Sequence, residues 1–377
     1  MYNFKNKNVF IVGSSDKFLR LYLDALCSKT KIELESIIVF VLPYPNENWH
    51  TLEKIEGVEY LDWNLSYLNY LEEVNTITTI SLLSYNSSIV KRILNLGTNI
   101  RSKFYLFLLD DEFERWLKLI NKEGFLKPND MLRVSEDDIE SLKMIDNYIC
   151  CEKTFKVKLE MITGRKVNIL DAAVIFDILP SKQHEQFDAL TKKCFSYNNN
   201  SGCINILYGS KGIELADVKE IIRLIIDLSK NREKVNVTII TNVAKIIIFI
   251  EIIKLILNKV KGYNITFKYV SDLTPLSYNT LISSCDFFVL QDRGGASSAR
   301  TFSKLGNGYI CVTKGSHNYR FFEEGYNVRT LSYVDVYELS KLILQVKRDH
   351  SVILTNSLAV NKRESESLKV LEMIYDC

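Results

Sequence analysis

Residues Cys285–Asn327 read CDFFVLQDRGGASSARTFSKLGNGYICVTKGSHNYRFFEEGYN, and this stretch decides the fold. It opens on a short run of β-forming residues, Asp286–Leu290, too short for a buried helix. Two consecutive glycines follow, Gly294 and Gly295, where a chain can turn sharply or let a ligand approach the backbone. Ser297 or Ser298 stands where a helix N-cap belongs, and Gly306-Asn307-Gly308 ends that helix. A second apolar run, Tyr309–Thr313, leads into a polar loop with His317 and Asn318, then Glu323-Glu324 before Gly325. Strand, glycine turn, helix, strand is the repeating unit of a parallel sheet. Ligands of such sheets lie beyond the carboxyl ends of the strands. The predicted helix would present its first amides and positive dipole end to an anion there. Arg293 adds a fixed cation suited to phosphate oxygens.

The same alternation runs outward in both directions. Upstream in the same half, strands are predicted at Cys203–Tyr208, Val235–Ile240 and Ile265–Val270, separated by helices at Leu215–Leu228 and from Lys245 to Lys261. A short helix is expected over Leu276–Ser284 and another over Val334–Val346, with a helical tail after Ser351. The first half reads likewise. Strands are expected at Asn8–Val12, Ser36–Leu42, Val58–Leu61, Ile77–Leu83, Phe104–Leu109, Tyr148–Cys151 and Lys166–Ile169, with helices after the first, fourth and sixth. Between the halves, SKQHEQFDALTKKCFSYNNNSG is polar and ends in an Asn/Ser/Gly cluster, as a domain edge does. The expected fold class is therefore α/β: two Rossmann-like parallel-sheet domains facing a central cleft. The expected boundaries are 1–185, a linker 186–202, 203–350 and a helical tail 351–377 that packs back on the first domain.

Composition narrows the classes. The chain has 377 residues, enough for two domains, with 47% hydrophobic and 25% charged residues. Forty-eight basic and 46 acidic side chains leave a formal charge of +2, so the whole molecule gives no reason to expect nucleic acid. None of the eight cysteines forms a C-x-x-C pair or a zinc-like cluster with histidine, and buried reduced thiols are expected. MYNFKNKNVFIVG lacks the features of a signal peptide, and a cytoplasmic protein is expected. The greasiest run, KIIIFIEIIKLILNKVK (Lys245–Lys261), is interrupted by Glu251 and Lys254 and is short for a membrane span. It reads as a helix packed on a sheet, with contact between part of it and a membrane surface as the lesser alternative. Gly13-Ser14-Ser15 is not G-x-G-x-x-G, and no G-x-x-x-x-G-K-[ST] occurs, which argues against a dehydrogenase and a P-loop NTPase.

The segment from Pro275 to Asn327 resembles the donor-binding half of GT-B glycosyltransferases. The resemblance is carried by PLSYNTLISSCDFFVL, the glycine turn and SHNYRFFEE. Within that superfamily the stretch is most similar to the bacterial family that transfers 4-acetamido-4,6-dideoxygalactose from its dTDP form to a lipid-linked sugar. The resemblance implies a donor site in which Gly294, Gly295, Ser297 and Ser298 meet the pyrophosphate. Glu323 or Glu324 would accept hydrogen bonds from ribose or sugar hydroxyls, and Gly209, Ser210 and Lys211 would line the phosphates. Arg293, His317 and Asn318 would complete the site. The plain structural readings are a tight turn for the glycines, a solvated helix end for the glutamates and a surface lysine for Lys211. The E-x7-E pattern of many retaining GT-B enzymes is not clearly present, which favours an inverting enzyme.

Inverting transfer needs a base for the acceptor hydroxyl and positive charge or aligned amides for the leaving diphosphate. The leading candidates are Asp110, Asp111 and Glu112, because FYLFLL delivers them to the end of a strand and adjacent acids raise one another's pKa. The structural alternative is a set of acids at the start of a helix. Asp16 is the second choice, with an N-cap as its alternative. No cofactor and no essential metal are expected. The expected partners are a dTDP- or UDP-sugar and a glycan or lipid-linked glycan acceptor. The acceptor implies contact with the cytoplasmic face of the inner membrane. A basic face of Lys5, Lys7, Lys29, Lys31, Lys91 and Arg92 with exposed Tyr2 and Phe4 would serve that contact. Two rivals remain: a GT-B-like epimerase, which needs no acceptor, and a non-catalytic binding protein of the same fold.

Overall fold

The computed structural model describes residues 3–43, 52–108, 113–121, 134–172, 175, 202–209, 213, 215–231, 233–306, 308–346 and 350–376. The chain divides into two compact units, Met1–Phe176 with Glu364–Cys377, and Asp177–Arg363.

The first unit is built on a seven-stranded parallel sheet, order β3-β2-β1-β4-β5-β6-β7. Its strands are β1 (Asn8–Gly13), β2 (Ile37–Leu42), β3 (Glu59–Asp62), β4 (Thr76–Ile80), β5 (Phe104–Phe107), β6 (Asn147–Cys150) and β7 (Asn168–Asp171). The helices are α1 (Leu19–Lys29), α2 (Ser87–Leu94), α3 (Thr98–Ser102), α4 (Phe113–Asn121), α5 (Glu136–Met144) and α6 (Glu152–Thr163). β1 is buried along its whole length, and its side chains alternate between two cores. Val9 and Ile11 join the layer with α2, α5 and α6. Phe10 and Val12 join Tyr22, Leu23 and Leu26 of α1. That second layer is closed by the carboxyl end of the last helix, α12 (His350–Tyr375), through Leu371, Ile374 and Tyr375. Tyr375 is anchored there: its carbonyl accepts from Asn8 Nδ2 at 2.9 Å, and its hydroxyl lies 3.0 Å from Thr78 Oγ1.

The second unit has a six-stranded parallel sheet, order β10-β9-β8-β11-β12-β13. The strands are β8 (Cys203–Tyr208), β9 (Lys234–Ile240), β10 (Asn264–Val270), β11 (Phe287–Val289), β12 (Tyr309–Thr313) and β13 (Leu331–Tyr333). The helices are α7 (Leu215–Lys230), α8 (Ala244–Lys261), α9 (Pro275–Ser283), α10 (Ala296–Leu305) and α11 (Val336–Val346), followed by the first part of α12. Gly306, at φ 67°, caps α10. Gly308 brings the chain back so tightly that an added Cβ would stand 2.1 Å from the Asp286 carbonyl oxygen, which itself accepts from Tyr309 N at 2.9 Å.

Several features depart from the sequence reading, and the helices α3 and α5 have no counterpart in it. β4 stops at Ile80 rather than Leu83, because Ser81 adopts φ 63° and leaves the strand. β13 was missed: three residues are too few to show a period, and the strand is defined by pairing with β12. Part of the basic face expected in the first unit is engaged within that unit. Phe4 is buried and stacked on Tyr70 at 5.1 Å, Lys29 pairs with Glu364, and Lys91 pairs with Asp137 and Glu140. Tyr2 lies outside the described residues. No helix among the described residues is long and apolar enough to cross a membrane.

Candidate functional site

All strands of the second sheet run parallel, so they end at one edge. β8 comes first in the chain and sits in the middle. The chain builds outward to β9 and β10, then crosses to the other flank of β8 to lay down β11, β12 and β13. The loops after β8 and β11 therefore diverge at the topological switch point, where an open sheet leaves a crevice for a ligand.

Two glycine turns occupy that point. Gly209 follows β8 at φ 74°, and its N–H donates to the Val289 carbonyl at 2.8 Å. Ser210 and Lys211 lie outside the described residues. After β11 come Gln291, Asp292 and the half-buried Arg293, then Gly294 at φ 87° and Gly295 at φ 75°. Both values lie in the left-handed region that glycine enters without a Cβ clash. Gly295 is the N-cap of α10, so the cap residue itself has no side chain to accept a hydrogen bond. This corrects the expectation that Ser297 or Ser298 caps the helix. Two left-handed residues in succession start it earlier, at Ala296, so both serines are already helical. Ser298 is buried and Ser297 is half-buried. The first-turn amides, rather than a capping hydroxyl, form the positive end of α10.

The turn is held from two sides. Asn318, fully buried, donates from Nδ2 to the carbonyls of Gln291 at 2.7 Å and Gly294 at 2.9 Å, and its backbone N–H donates to Asp292 O at 3.3 Å. Gln291 Nε2 in turn donates to Asp217 Oδ2 on α7 at 3.1 Å. Asn318 thus commits its amide nitrogen to the loop's own carbonyls. Its neighbour His317 is also buried, with its ring 6.2 Å from that of Phe321. Sequence reasoning placed both in the ligand loop and missed the bracing role of Gln291 and Asp217. No local pattern marks a brace whose two halves are 74 residues apart.

The glutamate pair separates. Glu323 Oε1 accepts from the N–H of Thr330 at 2.9 Å and from its hydroxyl at 2.6 Å, which ties the turn after β12 to the start of β13. Glu324 is exposed. At the same sheet edge Tyr208, the last residue of β8, donates to Glu220 Oε2 at 2.8 Å. Burial and that carboxylate push its phenol well above the usual range, so Tyr208 stays neutral. Burial likewise raises Tyr333 at the end of β13.

In the first unit Asp110, Asp111 and Glu112 lie outside the described residues. Asp16 follows β1, and its Oδ1 accepts from the N–H groups of Phe18 at 2.8 Å and Leu19 at 2.7 Å, so it caps α1. Burial raises its pKa, opposed by those two amide donors. Among the described residues no group of three His, Cys, Asp or Glu could hold a metal ion. The described cysteines are free, and all but Cys27 are buried. Burial pushes the thiols of Cys27 and Cys285 up to about 12, which keeps them protonated at neutral pH.

No protein-family model matches the sequence, and no curated protein does. Solved structures do. A glycosyltransferase from Rickettsia africae ESF-5 superposes with a TM-score of 0.58 at 12% identity, over 100% of this chain and 98% of that one. Anabaena Alr3699/HepE in complex with UDP gives 0.57 at 10% identity, over 98% and 100%. Sucrose-phosphate synthase from Thermosynechococcus elongatus gives 0.54 at 11% identity, over 98% and 97%. The fold is that of the GT-B glycosyltransferases. The glycine turn and the amino end of α10 belong to the carboxyl-terminal unit.

Proposed function

We propose that this chain is a glycosyltransferase that moves a sugar from a nucleoside diphosphate donor, dTDP- or UDP-linked, to a glycan or lipid-linked glycan acceptor. The setting we assign is bacterial surface polysaccharide synthesis. One observation carries the reading: α10 begins at the switch point of its sheet, behind two left-handed glycines, with no side chain on its cap and Arg293 beside it. A pyrophosphate is the ligand whose charge and size suit such a helix end. The Anabaena neighbour was solved with UDP, and also with UDP-glucose at a TM-score of 0.55.

In this reading the reaction inverts the anomeric carbon and needs no metal. A base removes the acceptor hydroxyl proton, the acceptor oxygen bonds to the anomeric carbon, and the bond from that carbon to the phosphate oxygen breaks. The diphosphate leaves with an added negative charge, which the α10 amides and Arg293 stabilise. We assign the base to Asp110, Asp111 or Glu112. Asp16 is the weaker candidate because it is already engaged as a cap.

Thermal denaturation with UDP, dTDP, GDP and CMP tests the donor class. A nucleoside diphosphate at about a hundred times its Kd stabilises the native chain by about 2.7 kcal/mol. That corresponds to a rise of roughly 5–10 °C for a unit of this size. A flat response to every diphosphate removes the proposal, and a response to CMP alone redirects it to a different donor class.

A further inference from the structure

The most unusual surface of the molecule is α8, on the second unit. The helix packs on β10, the edge strand of its sheet, and on α7, burying Ile246 and Ile250. Its other side is apolar and open. Ile248, Phe249, Ile252, Leu255, Ile256 and Val260 are between 47% and 72% exposed. At about 100° per residue they fall within an arc of roughly 140°, a continuous stripe rather than scattered surface residues. Stripes of that breadth mark a docking face.

The charges on α8 say what docks. Lys245 and Lys259 project within the same arc, one near each end, and Lys261 is exposed beside them. The helix has one acid, Glu251, which is half-buried, pairs with Lys254 and accepts from the Tyr269 hydroxyl at 3.0 Å. The open face is therefore apolar and cationic. A second copy of the chain would fit it poorly. An antiparallel two-fold pairing of α8 sets Lys245 against Lys259, and a parallel one sets like against like, with no carboxylate on the stripe to answer either. An anionic bilayer answers both features: acyl chains receive the isoleucine and leucine side chains while phosphate headgroups receive the lysines.

We propose that α8 lies in the surface of an anionic membrane as an interfacial anchor. This deepens the proposed transferase reading by naming the surface through which a lipid-linked acceptor would be approached.

The test is co-sedimentation of the full chain with phosphatidylcholine vesicles containing about 30% phosphatidylglycerol, against pure phosphatidylcholine. Binding is expected to the anionic vesicles, with loss as salt rises from about 0.1 M to about 1 M. The double variant Ile252→Glu with Ile256→Glu is expected to bind on the order of tenfold or more weakly. Lys245→Glu with Lys259→Glu is expected to lose the preference for anionic lipid. Both variants are expected to keep the parent's melting temperature and its stabilisation by nucleoside diphosphate, because all four side chains are exposed. That separates failure of the anchor from failure of the transferase reading. The anchor is overturned if the parent ignores anionic vesicles, or if the glutamate variants sediment as the parent does. It is equally overturned if the parent is a dimer that the Ile252/Ile256 variant dissociates, which would make a second copy the occupant.

Discussion

The two sheets have the same switch-point layout and treat it in opposite ways. In the first unit β1 and β4 flank the crossing, as β8 and β11 do in the second. After β1, the Asp16 carboxyl accepts from the amides of Phe18 and Leu19 at the start of α1. After β11 the chain supplies Gly294 and Gly295, and the cap residue of α10 has no side chain. Where the first unit bends after β4 it uses Ser81 at φ 63°, held by Asn86. Asn86 Nδ2 donates to Ser81 O at 3.1 Å, and its Oδ1 accepts from Leu83 N at 2.8 Å. Asn318 does the corresponding work for the glycine turn of the second unit. The same switch-point layout thus carries an aspartate acceptor at the start of α1 and a glycine cap at the start of α10.

The sharpest way to break this contrast is Gly295→Val. A β-branched residue at φ 75° costs about 1–3 kcal/mol of backbone strain, in the turn that precedes the α10 amides. Calorimetric titration should show nucleoside diphosphate affinity falling by more than about tenfold, since each tenfold is only about 1.4 kcal/mol. Unchanged affinity would place the phosphates elsewhere.

The two asparagine braces give a paired test of intermediate size. Asn318→Ala and Asn86→Ala each strip donors from partly buried loop carbonyls, at about 1–3 kcal/mol, and denaturant titration should register both. Only Asn318→Ala should also weaken nucleotide binding. Equal losses of affinity in the two variants would erase the distinction between the units.

The smallest effects sharpen the role of Asp16. Asp16→Ala removes the α1 cap and should cost about 0.5–2 kcal/mol. Asp16→Asn keeps an acceptor for the two amides. Because burial raises the Asp16 pKa above its usual 3.8, the folded chain holds this proton to higher pH than the unfolded chain. Ionisation of Asp16 therefore costs stability as pH rises from that usual value through the folded pKa. Asp16→Asn should remove that part of the pH dependence while leaving transfer activity intact. Lost activity with retained stability would instead promote Asp16 to the catalytic base.

Much of the fold is written locally. NVFIV, IIVFV, CINIL and YICVT are near-continuous apolar runs, and such runs between helices imply a parallel sheet covered on both faces. Gly294-Gly295 announces a turn because only glycine enters two left-handed conformations in succession without strain. The sequence alone therefore determined the strand–helix alternation and the position of the glycine turn. Tertiary structure decided the rest. The strand order that sets β11 beside β8 depends on pairings across 81 residues, such as Asn205 N–H donating to Asp286 Oδ2 at 3.0 Å. That Asn318 braces, that Glu323 serves Thr330 and that Lys91 serves Asp137 follows from which side chains meet, not from residue type. The open face of α8 is the clearest case. Its isoleucines look like core in sequence, because hydropathy reports what a residue prefers and only packing reports what covers it.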